Sequence, residues 1–356
     1  TSVLIVTDKG IRNAKLMDGL LQALASQQIN YTIYDDTVPN PTINNVEDSK
    51  TLYILNHCGA IIGFGGGSSM DCAKICAARI AKPKQTIKKM RGILKIHKKL
   101  PLLIAVPTTA GTGSETTVSA VITDSDTHHK YPINDFCLIP DYAVLDARVT
   151  LGLPAHLTAT TGMDALTHAV ESYIGGTTTR YTRKMAEEAV TLISKYLKRA
   201  YDMGNDREAR EKMLRASFCA GISFTRSYVG YVHGIAHSLG GQYGTPHGLA
   251  NAIVLPHMLE HYGQYCYKRL GKLAKKTGIA NVKDSHTNAA LKFILWIKEM
   301  NRSMNIPGFI EGIRAEDIPA MAKHAAMESN PLYPVPKLMD KKELEAIYYI
   351  IGEKHL

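Results

Sequence analysis

No uninterrupted apolar run in the chain reaches the roughly 18 residues that a membrane-spanning helix needs, so no membrane partner is expected. The opening residues TSVLIVTDKG have neither the basic start nor the small-residue cleavage pattern of a secretory signal. The six cysteines, Cys58, Cys72, Cys76, Cys137, Cys219 and Cys266, form no CxxC pair and no dense framework. They read as small core residues kept as reduced thiols, which predicts a cytoplasmic setting. Internal repeats and low-complexity segments are also missing. Residues 79 to 99 carry nine Lys or Arg and no acid, within a formal net charge of +10. That segment lacks the interleaved aromatics and recognisable module of a nucleic-acid surface, so it reads as a solvated helix and loop, and no nucleic-acid partner is expected.

What is present is an ordinary globular composition, 45% hydrophobic and 21% charged over 356 residues, a length suited to two domains. Up to residue 150, short apolar runs alternate with helical stretches. SVLIVTD, NYTIYDD, CGAIIGFGGG and LPLLIAVPTT read as strands, and AKLMDGLLQALASQQ and SMDCAKICAARIA as helices; this alternation predicts parallel strands with crossover helices. From residue 151 the strand signal fades into long amphipathic stretches such as TRKMAEEAVTLISKYLKRAYD and KKELEAIYYIIGE. The expected architecture is an α/β domain over 1–150 and an all-helical domain over 151–356, with a site in the cleft between them.

Two loops follow strands of the first domain. In AIIGFGGGSSMD, Gly65, Gly66 and Gly67 lead into a helix opened by Ser68, Ser69 and Asp71, where free N–H groups and the positive dipole end suit a pyrophosphate. The spacing is not GxGxxG and no Walker lysine is present, so a plain strand-to-helix turn stays open. In PTTAGTGSETT, the hydroxyls of Thr108, Thr109 and Thr112 can bind phosphate or ribose oxygens, or cap a turn. Asp8 ends the first strand. Its carboxylate can accept from an adenosine ribose and repel a 2'-phosphate, which favours NAD over NADP, or it can cap the next turn.

The second domain carries the histidines. Asp164 and His168 are four apart on one helix face, His233 and His237 repeat that spacing, and His247 follows a glycine-bearing turn. One such pair is weak, but two pairs and a further histidine in a turn point to a metal. Imidazoles with a carboxylate and no thiolate suit Fe(II) or Zn(II), with Mn or Co possible, and not a structural zinc site.

Taken together, GGGSSMD, PTTAGTGSE, GMDALTHAVESY, VHGIAHSLGG and PHGLANAIVLP, with VPNPT near residues 38 to 42, resemble the iron-containing (group III) alcohol dehydrogenase family, of the lactaldehyde reductase and 1,3-propanediol dehydrogenase type. The resemblance covers essentially the whole chain. It implies a Rossmann-like dinucleotide-binding domain followed by an all-α metal-binding domain, in a dehydroquinate synthase-like architecture. By motif match the metal ligands would be Asp164, His168, His233 and His247, with His237 a further active-site histidine near the metal. The implied cofactor residues are Asp8, Asn40, Gly66, Gly67, Ser68, Asp71, Thr108, Thr109, Thr112 and Lys130. The implied activity moves hydride between NAD(H) and a small alcohol, diol or aldehyde, with His237 either a proton relay or a residue that orients the metal ligands, and a homodimer as the expected assembly. A zinc-dependent polyol dehydrogenase or a dehydroquinate-synthase-like lyase is the alternative within the same architecture. Members of that family carry a short segment ahead of the strand that here starts at Ser2, so the resemblance implies a chain lacking residues there, which leaves subunit contacts open.

Overall fold

The structure, a computed structural model, describes residues 2–125 and 130–352. The chain divides into two compact units, Thr1–Leu151 and Gly152–Leu356.

The first unit is built on strands β1 (Ser2–Val6), β2 (Asn30–Tyr34), β3 (Ala60–Gly65), β4 (Gly92–Ile93), β5 (Leu102–Pro107), β6 (Ser119–Thr123), β7 (Lys130–Asn134) and β8 (Tyr142–Ala143). Its helices are α1 (Lys9–Asn13), α2 (Asp18–Ser26), α3 (Ile43–Leu55), α4 (Gly67–Ala81) and α5 (Ile87–Met90). A five-stranded sheet runs in the order β2-β1-β3-β5-β8 with every neighbouring pair parallel, as the alternating pattern predicts. Side chains alternate across it. Leu4, Val6, Ile61 and Leu103 face a core filled by Cys72, Ile75 and Cys76 of α4. Val3, Ile5, Ala60 and Ile62 face the opposite core, with Ile11 of α1 and Leu24 of α2. Burial on both faces explains why β1 and β3 read as continuous apolar runs, each buried Ile or Leu contributing roughly 1.5–3 kcal/mol.

Three details differ from the sequence expectation. AKLMDGLLQALASQQ is not one helix, because Lys15 adopts φ 56° and α2 starts only at Asp18. A second, three-stranded sheet, β4-β7-β6, contains the antiparallel pair β6/β7 beside the parallel pair β4/β7. The basic segment is also less solvated than its charge suggests. Ile87, Met90 and Ile96 enter the core, and the Arg79 guanidinium is spent on Glu47 and the carbonyls of Lys82, Pro83 and Gln85.

The second unit consists, among its described residues, of α6 (Ala155–Ile174), α7 (Arg180–Asp202), α8 (Arg207–Ser227), α9 (Tyr231–Tyr243), α10 (His247–Tyr262), α11 (Gln264–Lys276), α12 (His286–Ser303), α13 (Ile318–Ser329) and α14 (Lys341–Gly352). Residues 162–174 of α6 are buried without a break, since α7, α8, α10 and α11 surround it. The approach of α10 is very close, as a Cβ on Gly248 would sit 2.5 Å from the Thr160 carbonyl oxygen. Among the described residues no helix is long and apolar enough to cross a membrane.

Candidate metal centre and nucleotide loops

Helix α6 presents Asp164 and His168 from one face because residues four apart share a face. Helix α9 presents His233 from its first turn. It ends on Gly244, whose left-handed φ of 67° closes the helix, and Pro246 then starts α10 with His247 as its first residue. The glycine-rich stretch thus turns the chain back so that His247 returns to His233, with ring centroids 5.3 Å apart. One ligand atom from each of Asp164, His168, His233 and His247 lies within 4.8 Å of the others. Asp164 Oδ1 is 3.6 Å from Nε2 of His247, 3.9 Å from that of His233 and 4.0 Å from that of His168. Phe224 of α8 stacks on His168 at 4.1 Å, and His168 stacks on His233 at 4.6 Å, which locks both rings from one side.

This donor set fits a divalent ion. Asn251, one turn after His247, directs Nδ2 at Asp164 Oδ1 (2.7 Å), His247 Nε2 (3.1 Å) and His233 Nε2 (3.3 Å). An amide NH2 has two hydrogens for these three facing atoms, so Asn251 alone cannot donate to all of them at once. A tetrahedron of roughly 2.1 Å bonds places ligand atoms about 3.4 Å apart, somewhat shorter than the 3.6 to 4.0 Å between Asp164 Oδ1 and the three imidazoles. Three imidazoles and one carboxylate are the ligands that iron or zinc take.

Carboxylates from two other turns hold the two α9 histidines. Glu171, on α6, accepts from the backbone N–H of Gly230 and of Val232, both at 2.9 Å, and lies 2.6 Å from His233 Nδ1. Burial pushes its carboxyl up to about 7, against the pull of those backbone donors. Burial, aided by the neighbouring imidazoles, holds His233 well below the usual histidine range and therefore neutral. Glu328 of α13 lies 2.6 Å from His237 Nδ1 and accepts from the Tyr333 hydroxyl at 2.7 Å. Burial works to raise Glu328, yet His237 and the hydrogen bonds of His237 and Tyr333 hold it below the ordinary carboxylate range. His237 is stacked on His247 at 5.2 Å and lies outside the group of four.

In the first unit, the loop residues gather around the N-terminus of α4. Gly66 is its N-cap, no side chain caps it, and no acid occupies its first turn, so the exposed N–H groups can face an anion. A Cβ on Gly66 would meet Thr109 at 3.7 Å, and one on Gly67 would meet Thr112 at 2.9 Å. Lys130 donates to Asn40 Oδ1 at 2.6 Å, and the Asn40 backbone N–H donates to Ser68 Oγ at 3.2 Å. Of the two roles the sequence left open for Asp8, the structure shows the cap: Oδ1 accepts from the Ile11 N–H at 3.0 Å, while Oδ2 lies 3.5 Å from the Ser69 hydroxyl. The Thr108 N–H donates to Gly65 O at 3.0 Å, tying the two loops together. Asp71 is engaged with the protein itself, accepting from Ser114 Oγ at 2.8 Å and from the Val121 N–H at 2.9 Å. One turn on, Lys74 donates to Thr117 O, Thr117 Oγ1 and Ser119 O, so Asp71 and Lys74 together hold the threonine loop in place.

Sequence reasoning missed Glu171, Asn251, Glu328 and Phe224's stacking role. The same helical spacing that exposed the histidines could have found two of them, since Glu171 is i+3 from His168 and Asn251 is i+4 from His247. Glu328 had no such signal, because it arrives from a helix about 90 residues away.

Comparison with known proteins came out as follows. Residues 1–147 match the model for iron-containing alcohol dehydrogenase, and residues 158–351 match that for the C-terminal part of the Fe-containing alcohol dehydrogenase family. A 1,3-propanediol dehydrogenase of Klebsiella pneumoniae is 36% identical, over 97% of this chain and 90% of that protein. The NAD-dependent methanol dehydrogenase of Bacillus methanolicus is 35% identical, over 92% of this chain and 87% of its own length. The solved alcohol dehydrogenase from Oenococcus oeni superposes with a TM-score of 0.93 at 36% identity, covering 99% of this chain and 92% of that one.

Proposed function

This chain belongs to the iron-containing alcohol dehydrogenase family, and from that premise we propose that it is an NAD-linked oxidoreductase acting on a small alcohol, diol or aldehyde. The observation that carries the reading is the convergence of Asp164, His168, His233 and His247 beside His237. A divalent iron, or zinc as the alternative, held by those four residues supplies Lewis acidity toward the substrate oxygen. Bound NAD supplies the hydride acceptor, or NADH the donor in the reverse direction.

The protein's own groups do the holding and the proton work. The uncapped N-terminus of α4 receives the pyrophosphate, with Gly66 and Gly67 letting the backbone come close. Asp8 Oδ2 accepts from a ribose hydroxyl while Oδ1 stays on Ile11, which favours NAD over NADP. Asn40 and Lys130 close the rim beside Ser68, and Asp71 holds the loop of Thr108, Thr109 and Thr112 against it. His237 donates from Nδ1 to Glu328, which leaves the lone pair on Nε2 to take the alcohol proton. The reading extends to a homodimer, tested by sedimentation, and to a reducing cytoplasm, where the six cysteines would remain the separate thiols they are in the fold.

The deciding experiment is a panel of short alcohols, diols and aldehydes with NAD and with NADP, using protein purified without air and loaded with Fe(II) or Zn(II). Net change in nicotinamide absorbance that requires the metal and prefers NAD is expected. Metal-independent turnover would overturn the reading, and NAD dependence without net NADH would move the chain to lyase chemistry.

A further inference from the structure

Glu171 is 4% exposed and lies on the same helix as Asp164 and His168, yet all its bonds go to the start of α9. Oε1 accepts from Val232 N–H, while Oε2 accepts from Gly230 N–H and lies 2.6 Å from His233 Nδ1. Gly230, the N-cap of α9, has no side chain of its own to satisfy these donors, so Glu171 caps the helix from outside. Two backbone donors and the positive end of α9 favour the ionised carboxylate, and a carboxylate can only accept. The hydrogen between Glu171 and His233 therefore sits on Nδ1. The lone pair of the ring is then on Nε2, the atom that faces Asp164 Oδ1 at 3.9 Å and Asn251 Nδ2 at 3.3 Å.

We propose that Glu171 is a positioning residue: it fixes His233 in the Nδ1–H tautomer and so points a permanent donor lone pair at the centre formed with Asp164, His168 and His247. The tautomer follows from these hydrogen bonds with Glu171 ionised, as it is at pH 8, whereas its purpose rests on the metal reading above. Asp164, His168 and Glu171, at i, i+4 and i+7, would then make one face of α6 both wall and brace of the same centre.

Glu171→Gln alters the brace at the loss of one capping bond. Glutamine keeps the volume and one acceptor oxygen but replaces the other with NH2, a donor. Placed opposite His233, where it also gives up the bond from Gly230 N–H, that donor forces Nδ1 to accept and moves the ring hydrogen to Nε2, where it blocks the lone pair. The test reads the ring nitrogens of metal-free protein carrying 15N-histidine, at pH 8, with His233 assigned through His233→Gln, and Co(II) affinity by chelator competition. Wild type is expected to show protonated Nδ1 and bare Nε2; Glu171→Gln should swap them and lose roughly 10- to 100-fold in Co(II) affinity. A wild-type hydrogen on Nε2 overturns the proposal, and so does a variant that keeps the Nδ1–H tautomer with affinity within about threefold. If the variant does not fold, the wild-type spectrum decides alone. A tautomer that swaps as expected in a protein that binds no Co(II) upholds the positioning role and overturns the metal reading instead.

Discussion

His247 Nε2 stands 3.6 Å from Asp164 Oδ1, the shortest approach of the three imidazoles to that carboxylate, and its side chain is the most exposed of the four. His247→Ala is therefore expected to fold normally and bind NADH with unchanged affinity while losing metal and turnover; elemental analysis after dialysis and NADH fluorescence check both halves. His237 differs in kind, since its Nδ1 is committed to Glu328 and its ring lies outside the group of four. His237→Ala should keep the metal but lower turnover by roughly 100-fold or more near pH 7, with partial recovery as pH rises. Unchanged kcat over the whole pH profile would remove the relay role.

At the scale of elements, the N-terminus of α4 gives a clean separation of fold from binding. Gly66 has φ −73° and ψ −172°, open to any residue, and its Cβ would make only an ordinary 3.7 Å contact with Thr109. Gly66→Ala should leave the melting temperature nearly unchanged, yet on the proposed reading the added methyl stands where the pyrophosphate would approach. A loss of about tenfold in NAD affinity, on the order of 1.4 kcal/mol, is expected by titration. Gly248 is the opposite case. Gly248→Ala drives a methyl to 2.5 Å from the Thr160 carbonyl and should cost roughly 1–3 kcal/mol of stability by forcing α10 away from α6. Much at this scale was legible in the residues. Apolar runs buried on both faces announce a parallel sheet, and i, i+4 spacing announces which turns of α6 and α9 share a face. What stayed hidden has a common cause. The β6/β7 pair, the Lys15 break and the arrival of Glu328 at His237 are set by contacts between segments distant in sequence, which no local period encodes.

At the scale of the molecule, buried charge in the first unit makes stability depend on pH. Glu115 is 2% exposed, and neither carboxylate oxygen has a partner beyond its own backbone amide. Burial pushes its carboxyl from 4.5 to about 7, with Lys74 pulling weakly the other way. Between those values the folded protein holds a proton that the unfolded chain has released. Stability therefore falls as pH rises through that window and levels off above it, by at most about 3 kcal/mol. Buried Asp71, also raised by burial, adds in the same direction. Glu115→Gln should flatten the decline, so that variant and wild type converge near pH 4.5 and the variant melts higher near pH 7.5; parallel curves across the range would refute the assignment.

The cluster of four in the second unit is sealed unevenly. The side chains of Asp164, His168 and His233 are 3%, 6% and 3% exposed, whereas that of His247 is 34% exposed. Solvent, chelators and competing ions would therefore meet an ion held there first at His247, the opening residue of α10, where helix ends fray most readily. Ion exchange would then depend on how often that helix tip opens, a kinetic property that the depth of the other three residues does not control.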